Sequence, residues 1–201
     1  QNVVIVVSVA IHFELEMYGK HAGFCQAGAE TQTRCIICTA PRKTFNLAGL
    51  QLANTIIPNA GLREMYVQRK NADGYSNESY FGYHATIAAY EKGEAWLDAL
   101  LDYMRENIAF FGRWFEANMP MVKVLPVQGT YLIWTDFSAL GMTDEELERF
   151  VRGEAMLFLD EGTMFGAGGE GFMRFNLALP RAELAKALDR LLAAAKARGI
   201  V

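Results

Sequence analysis

Residues 38–51 of this 201-residue chain have the sequence Cys38-Thr-Ala-Pro-Arg-Lys43-Thr-Phe-Asn-Leu-Ala-Gly-Leu-Gln51. Lys43 follows a short apolar strand, which we predict over residues 34–39, and it lies where the chain turns toward a helix. Ligands of α/β proteins bind at such strand-to-helix turns. Most loop lysines are simply solvated, however, so its position alone does not identify Lys43 as a functional residue.

Outward from this segment, strands and helices alternate, as is typical of α/β domains. The run Val3-Val4-Ile5-Val6-Val7 lies in a strand predicted over residues 2–8, and its β-branched composition is typical of a strand buried on both faces of a parallel sheet. Such a strand needs neighbours that partly precede it, so we expect a fragment or a processed chain. We also predict a strand at residues 52–57 and a helix at residues 62–71.

A long helical pattern begins at Tyr80. Apolar residues recur at spacings of three and four from Leu97 to Phe115, so one face of this helix is apolar. Its length suits a helix that bridges two lobes. Its aromatic residues Phe110 and Trp114 are expected to be exposed.

The pattern changes after Pro120 to that of a small α+β domain. Thr143-Asp-Glu-Glu146 is a capping box that opens a helix, and Pro180 suits the first position of a final helix. The expected domains are therefore residues 1–119, which include the long helix, and residues 120–201. Within the second domain, we predict short strands at residues 121–125, 131–137, 155–159 and 172–179.

Charge and hydropathy argue against two classes of partner. The chain carries a net charge of −4 and no basic cluster, which argues against nucleic-acid binding. No apolar run reaches the roughly 18 residues that a membrane-spanning helix needs. We therefore expect neither a nucleic-acid partner nor a membrane partner.

The three cysteines are Cys25, Cys35 and Cys38. The last two have CxxC spacing, but the isoleucines between them favour a buried strand over a zinc or redox site, because no second pair of ligands follows. We expect no metal, reduced cysteines and a cytoplasmic location.

Two further patterns carry little weight. The glycine-rich residues 166–171 match neither the GxxxxGK[ST] loop nor a GxGxxG that opens a helix after a strand, so we interpret them as a flexible turn. Ser8, His12 and Asp136 do not lie in a hydrolase context, and the sequence contains no GxSxG.

Four segments, in the right order, resemble one known family. Residues 38–51 resemble the pyridoxal-phosphate (PLP) lysine segment of the MalY/PatB group, the cystathionine β-lyase-like carbon–sulfur lyases and their class I/II aminotransferase relatives. Ser8-Val-Ala-Ile-His12 stands where that family has Ser-Asp-Glu-Ile-His. Gly129-Thr-Tyr-Leu-Ile-Trp-Thr-Asp136 resembles Gly-Thr-Tyr-Leu-x-Trp-x-Asp, and Gly168-Gly-Glu-Gly-Phe-Met-Arg-Phe-Asn-Leu-Ala178 resembles Gly-x-x-x-x-Arg-x-Asn-x-Ala. The similarity covers nearly the whole chain.

This resemblance implies an α/β fold of the PLP-dependent transferase class, aminotransferase fold-type I. Residues 1–119 would be the carboxyl-terminal part of its large, parallel-sheet, PLP-binding domain, and residues 120–201 its small domain. Lys43 would hold pyridoxal 5'-phosphate as a Schiff base and then move the α-proton of the substrate. Arg174 would bind the substrate α-carboxylate, or form an ordinary ion pair at a strand edge. His12 would lie beside the cofactor ring, by a hydrogen bond or by packing alone.

The activity that the resemblance implies is β-elimination at carbon–sulfur bonds of small amino acids such as cystathionine or cysteine conjugates. Transamination on the same scaffold is the near alternative. Family members are usually homodimers, so a second copy is the expected partner. The alternative of another class is a truncated or degenerate relative that serves as a non-catalytic binding or regulatory module.

Three departures from the family pattern bear on this choice. Val9 stands where the family has the Asp that bonds the pyridine nitrogen of the cofactor. Arg42 stands where the family has Ser, and the sequence leaves open whether it meets the cofactor phosphate or points outward. The family chain is about twice as long, and the missing half would precede Gln1.

Overall fold

The computed structural model describes residues 4–75 and 77–201 and divides into two compact units, Gln1–Leu100 and Leu101–Val201. The division falls inside a helix rather than at a loop. The predicted domain boundary between residues 119 and 120 stays a prediction.

Seven strands and six α-helices are defined in the described residues. The strands are β1 (Val6–Val9), β2 (Cys35–Thr39), β3 (Asn54–Ile56), β4 (Lys123–Val124), β5 (Leu132–Asp136), β6 (Asp160–Glu161) and β7 (Phe172–Asn176). The helices are α1 (Ala29–Gln32), α2 (Ala60–Ala72), α3 (Tyr80–Lys92), α4 (Glu94–Asn118), α5 (Asp144–Glu148) and α6 (Arg181–Ala197). Short 3-10 turns and one π-helical segment, Arg149–Glu154, connect them.

The first unit contains a three-stranded sheet in the order β1-β2-β3. β1 and β2 are parallel, with Val9 opposite Cys38, whereas β3 runs antiparallel to β2, with Ile56 opposite Ile37. The parallel pair brings the carboxyl ends of β1 and β2 to the same edge of the sheet.

The first strand is not covered on both faces in the described chain. Val7 is 57% exposed and Val9 is 65% exposed, while the intervening Ser8 is half-buried. The expectation that this strand is fully buried is therefore wrong for the described residues, since no second strand or helix covers its outward positions here. Residues 2 and 3 of the predicted strand lie outside the described residues.

The long helical pattern is divided in two at Gly93. A Cβ on Gly93 would lie 2.3 Å from the carbonyl oxygen of Ala89 and 2.6 Å from Cε1 of Phe45. Only glycine fits this close approach, and Gly93 separates the end of α3 at Lys92 from the start of α4 at Glu94. The apolar face predicted for the long helix is confirmed in α4, where Met104, Ile108, Phe111 and Phe115 are buried.

The second unit is a four-stranded antiparallel sheet in the order β4-β5-β7-β6, with α4 and α6 supplying apolar faces to its core. Aromatic rings fill much of this core: Phe111 contacts Phe115 and Phe175 at ring-centroid distances of 4.9 Å each. Phe110 and Trp114, expected to be exposed, are half-buried instead. The guanidinium of Arg181 lies 4.7 Å from the ring centroid of Phe110, and Trp114 packs edge-on against Phe115.

In the second unit, the predicted capping box is present, whereas one predicted strand is not. The capping box at Thr143 is confirmed, because its hydroxyl accepts from the backbone N–H of Glu146 and the Glu146 carboxylate accepts in return. The strand predicted at residues 155–159 is wrong. The chain leaves the π-helical segment there, Met156 has a φ of 54°, and pairing begins only at Asp160.

Candidate active site

Lys43 lies in a turn that follows the carboxyl end of β2. Backbone hydrogen bonds close this turn, from Phe45 N–H to the carbonyl of Pro41 and from Leu47 N–H to that of Arg42, both at 2.9 Å. Lys43 itself is only partly exposed and forms no ion pair within residues 4–75 and 77–201.

His12 lies in the corresponding turn after β1. The backbone N–H of Ala10 donates to the carbonyl of Cys38 at 2.8 Å, and Leu15 N–H donates to the carbonyl of His12 at 2.9 Å. The turns of His12 and Lys43 thus follow the carboxyl ends of two neighbouring parallel strands, the edge where open α/β sheets bind ligands.

Glu14 joins the two turns directly. The hydroxyl of Thr44, the residue after Lys43, donates to Oε2 of Glu14 at 2.8 Å. Thr44 is only 1% exposed. Two predicted site residues, His12 and Lys43, therefore belong to turns that a part-buried hydrogen bond ties together.

Arg42 and Val9 show what this edge offers to a ligand. Nε of Arg42 is buried and has no hydrogen-bond partner among residues 4–75 and 77–201, so it is a donor suited to an anion beside Lys43. Val9 ends β1 with an exposed isopropyl group, which cannot accept a hydrogen bond. The edge thus presents an amine and a guanidinium, and position 9 adds no carboxylate.

Arg174 lies in the second unit, on β7, opposite Asp160 of β6. Its Nε and Nη2 donate to Oδ2 of Asp160, at 2.9 and 2.5 Å. Its guanidinium carbon also lies 4.5 Å from the ring centroid of Phe165. The ion pair uses one edge of the guanidinium and leaves Nη1 outside it.

A cavity of about 350 Å³ adjoins this ion pair. Asp160 and Arg174 supply charge to its wall, and apolar side chains such as Phe158 and Leu188 supply much of the rest. A charged wall in an apolar recess is typical of small-ligand sites.

The glycine-rich residues 166–171 form a packed turn. Gly162 and Gly169 approach so closely that a Cβ on either would lie 2.0 Å from the carbonyl oxygen of the other. Gly166, Gly168 and Gly171 all have positive φ. The turn thus needs glycine for its backbone path.

The cysteines form a pair that the sequence analysis did not predict. Cys25 and Cys35 are joined by a disulfide, and Cys38 is free and half-buried. The expectation of reduced cysteines is therefore wrong for this pair. The sequence did not indicate the disulfide, because the ten-residue separation of the two cysteines matches no diagnostic spacing. In residues 4–75 and 77–201, no group of three or more His, Cys, Asp or Glu side chains is arranged to hold a metal ion.

Glu14 and Asp160, which contact Thr44 and Arg174, were not predicted from the sequence. Glu14 stands two residues after His12, and Asp160 stands fourteen residues before Arg174, outside the motifs quoted above. Only pairing across turns and strands brings them to Thr44 and Arg174, and no local pattern carries that information.

No protein-family profile matches the chain. Cystathionine beta-lyase PatB of Bacillus subtilis is 38% identical over 192 residues, which make up 95% of this chain and 50% of PatB. Protein MalY of Escherichia coli is 33% identical over 162 residues, 80% of this chain and 42% of MalY. The crystal structure of cystalysin from Treponema denticola, which contains pyridoxal 5'-phosphate, matches with a TM-score of 0.92 at 37% identity, covering 96% of this chain and 49% of cystalysin.

Aminotransferases also match, at lower identity. Aspartate aminotransferase of Pyrococcus horikoshii is 26% identical over 158 residues, which make up 78% of this chain and 40% of that protein.

These matches place the chain in the class of PLP-dependent proteins with the aminotransferase fold-type I. Within that class, it belongs to the MalY/PatB-type, cystathionine β-lyase-like family, and the resemblance inferred from the four motifs is confirmed. The chain spans about half the length of the curated relatives it matches, 50% of PatB and 42% of MalY. In the described residues, no helix is both long and apolar enough to cross a membrane.

Proposed function

We propose that the protein is a PLP-dependent carbon–sulfur β-lyase that acts on small amino acids such as cystathionine or cysteine conjugates. The observation that carries this proposal is the pairing of the His12 and Lys43 turns at the carboxyl ends of two parallel strands. Relatives named cystathionine beta-lyase support the reaction class.

The residues at this edge fit pyridoxal phosphate in part. Lys43 offers an amine for covalent attachment to the aldehyde, and the unpartnered Nε of Arg42 offers a donor to the phosphate. By the family resemblance, His12 would contact the cofactor ring, through a hydrogen bond to its phenolic oxygen or by packing alone. The pyridine nitrogen gains no acceptor from Val9, so its protonation would depend on residues elsewhere in the protein.

The mechanism assigns one task to each residue. The bound cofactor supplies an electron sink for the carbanion at the substrate α-carbon. The amine of Lys43 would take the α-proton, and the Cβ–S bond would then break with its electron pair on sulfur. The protonated amine would return the proton to that sulfur, so that a thiol leaves. Arg174 holds the α-carboxylate through its guanidinium, a task for which a planar fork is suited.

The direct test is chemical trapping of the cofactor. Intact protein saturated with pyridoxal phosphate is reduced with borohydride and digested, and the labelled peptide is located by mass spectrometry. We expect the label on Lys43 and its loss in Lys43→Ala. A label on another lysine, or none, would contradict the assignment.

Transamination is the near alternative, and aminotransferases among the relatives favour keeping it. The two reactions share proton removal by Lys43 and differ in what leaves next. Pyruvate and ammonia released from cystathionine indicate elimination, whereas a keto acid released with conversion of the cofactor to its amine form indicates transamination.

Val9 favours a candidate function of another class, a non-catalytic binding or regulatory module. Such a module retains the fold without the carboxylate that keeps the cofactor ring an electron sink. If pyridoxal phosphate labels Lys43 while cystathionine yields neither pyruvate nor another keto acid, the non-catalytic module is supported over both the lyase and the aminotransferase.

We propose that the protein assembles as a homodimer. Support comes from exposed aromatic residues on α3, where Tyr80 is 70% exposed and Phe81 is 73% exposed, since exposed apolar patches of this kind mark interaction surfaces. Sedimentation velocity of the intact protein tests this, and Phe81→Ser should shift the distribution toward the monomer. A monomer at micromolar concentration would contradict the proposal.

We also propose a cytoplasmic location, although reducing compartments disfavour a disulfide such as Cys25–Cys35. Alkylation of the protein in freshly lysed cells separates the cases. Three alkylated cysteines support a cytoplasmic location, whereas alkylation of Cys38 alone supports an oxidising compartment.

A further inference from the structure

The carboxylate of Glu14 holds three segments of the first unit together. Its Oε2 accepts from the hydroxyl of Thr44 at 2.8 Å, and its Oε1 accepts from the hydroxyl of Tyr90 at 3.1 Å. Thr44 belongs to the lysine turn and Tyr90 to α3. Each carboxylate oxygen therefore has its own donor, from a different segment.

Glu14 also lies inside the turn that carries His12. The hydrogen bond from Leu15 N–H to the His12 carbonyl closes this four-residue turn, and Glu14 is its third residue. A bond from Glu14 to Thr44 therefore fixes the His12 turn and the Lys43 turn relative to each other. Hydrogen bonds to an ionised acceptor are about twice as strong as neutral ones.

The next residue of the lysine turn is fixed by aromatic packing. The ring of Phe45 stacks on Trp96 at 5.7 Å and meets Tyr90 edge-on at 6.2 Å. Gly93 leaves the space that this ring needs, since a Cβ there would lie 2.6 Å from Cε1 of Phe45. Thr44 and Phe45 are thus held from two sides, and Lys43 directly precedes them.

The backbone of the turn depends on these contacts. Asn46 has a φ of 55°, a left-handed conformation that costs a non-glycine residue on the order of 1 kcal/mol and persists where surrounding contacts impose it.

We propose that Glu14 is a positioning residue, which orients the Lys43 amine toward the cofactor site by anchoring Thr44. This inference rests on the proposed function of Lys43. It assigns Glu14 no contact with substrate or cofactor, so its removal changes attachment geometry rather than substrate binding.

Four variants separate the effect of the hydrogen bond between Glu14 and Thr44 from the effect of general packing. Glu14→Ala removes both acceptors, and Thr44→Val removes only the donor beside Lys43 while keeping the side-chain shape. Tyr90→Phe removes only the donor on α3. Glu64→Ala, at an exposed site on α2, is the matched control.

Two measurements on the intact protein report the effect: the dissociation constant of pyridoxal phosphate, and the rate of borohydride-trapped labelling at Lys43. We expect Glu14→Ala and Thr44→Val each to weaken binding and slow labelling by about tenfold, with Tyr90→Phe and Glu64→Ala close to the parent. The KM for the amino acid should stay unchanged. Because both changes break the same hydrogen bond between Thr44 and Glu14, the double variant should lose about as much as Glu14→Ala alone.

Distinct outcomes overturn distinct claims. A parent that is not labelled at Lys43 overturns the proposed function and, with it, the role of Glu14. A labelled parent with unchanged Glu14→Ala and Thr44→Val overturns the role of Glu14 alone. A defect in Glu14→Ala with a normal Thr44→Val likewise overturns the proposed role of the hydrogen bond between Glu14 and Thr44. Urea unfolding of each variant shows whether that defect is loss of the fold.

Discussion

Arg174 and Asp160 face each other across the β6–β7 ladder, and both Nε and Nη2 of the guanidinium donate to the same carboxylate oxygen. The ring of Phe165 lies against the guanidinium. This arrangement fixes the plane of the guanidinium while leaving Nη1 outside the ion pair. Asp160 therefore orients Arg174 without using all the hydrogen-bond donors of its guanidinium.

If Arg174 binds the substrate carboxylate, Asp160→Ala should raise the KM for the amino acid by about three- to tenfold, because the guanidinium loses its orientation. Arg174→Lys should raise the KM for the amino acid by about 100-fold, since an ammonium group cannot reproduce the two parallel hydrogen bonds of a planar guanidinium. Steady-state kinetics measure both. Asp189→Ala, at an exposed position on α6, is the control. A lower KM in Asp160→Ala would show instead that Asp160 competes with substrate.

Asn107 is fully buried in α4 and serves three partners. Its Nδ2 donates to the carbonyls of Leu177 and Leu179, each at 3.0 Å, and its Oδ1 accepts from Nε of Arg181 at 2.6 Å. Asn107→Ala leaves all three groups unpaired, so we expect a loss of about 3 kcal/mol in the free energy of unfolding.

Urea unfolding measures this loss, and Asn118→Ala is its control. Asn118 donates to the carbonyl of Trp114 in its own helix, at 2.9 Å. We expect a change below about 1 kcal/mol for the control. Equal losses in the two variants would contradict a special role for Asn107.

Gly162 and Gly169 approach too closely for any side chain. Gly162→Ala and Gly169→Ala should each reduce the free energy of unfolding by about 2–3 kcal/mol, because the backbones must separate. Gly112→Ala is the matched control, since its Cβ meets nothing within 4 Å and helical alanine is favoured by about 1 kcal/mol. Thermal unfolding should rank the control above the parent and both other variants below it. A stable Gly169→Ala would show that the turn adapts.

Sequence predicted those features that depend on neighbouring residues. The strand before Lys43, the apolar stripe of α4 and the capping box at Thr143 are each encoded within a few residues, and each is confirmed. The family itself followed from four ordered motifs.

What the sequence did not predict depends on contacts between distant segments. Gly93, at the break between α3 and α4, has no space for a Cβ because Phe45, 48 positions earlier in the chain, approaches it. The bond from Thr44 to Glu14 and the ion pair from Arg174 to Asp160 likewise need the completed fold. Hydrophobic periodicity carries no information about such pairs.

Tyr90 reports on the charge of Glu14. Burial first, and then the charge of Glu14 and the hydrogen bond to it, raise the pKa of Tyr90 from 10.0 to about 12. Because this pKa is higher in the folded chain, its stabilising contribution is complete below about pH 10 and is lost as pH rises toward 12. Glu14→Gln should lower the pKa of Tyr90 while burial keeps it above 10. Carbon-13 NMR of labelled tyrosine rings measures it, with Tyr90→Phe assigning the signal, and an unchanged pKa would show that burial alone acts.

Val9 is the position where an added carboxylate tests the cofactor site. It is 65% exposed at the carboxyl end of β1, so Val9→Asp should cost less than about 1 kcal/mol of stability, mainly in strand propensity. In the family an Asp at this position bonds the pyridine nitrogen, and a carboxylate at contact distance shifts such a pKa by about 1–3 units.

Val9→Asp should therefore tighten pyridoxal-phosphate binding and raise the rate of pyruvate release from cystathionine, because a protonated ring is the better electron sink. Fluorescence titration of the cofactor and a coupled pyruvate assay measure the two effects. Val9→Asn is the control, because its amide has similar size and no charge, and it should resemble the parent. Equal gains in both variants would assign the effect to polarity rather than charge. A parent already as active as Val9→Asp would mean that another residue of the intact protein supplies the acceptor, because Val9 has no atom that can.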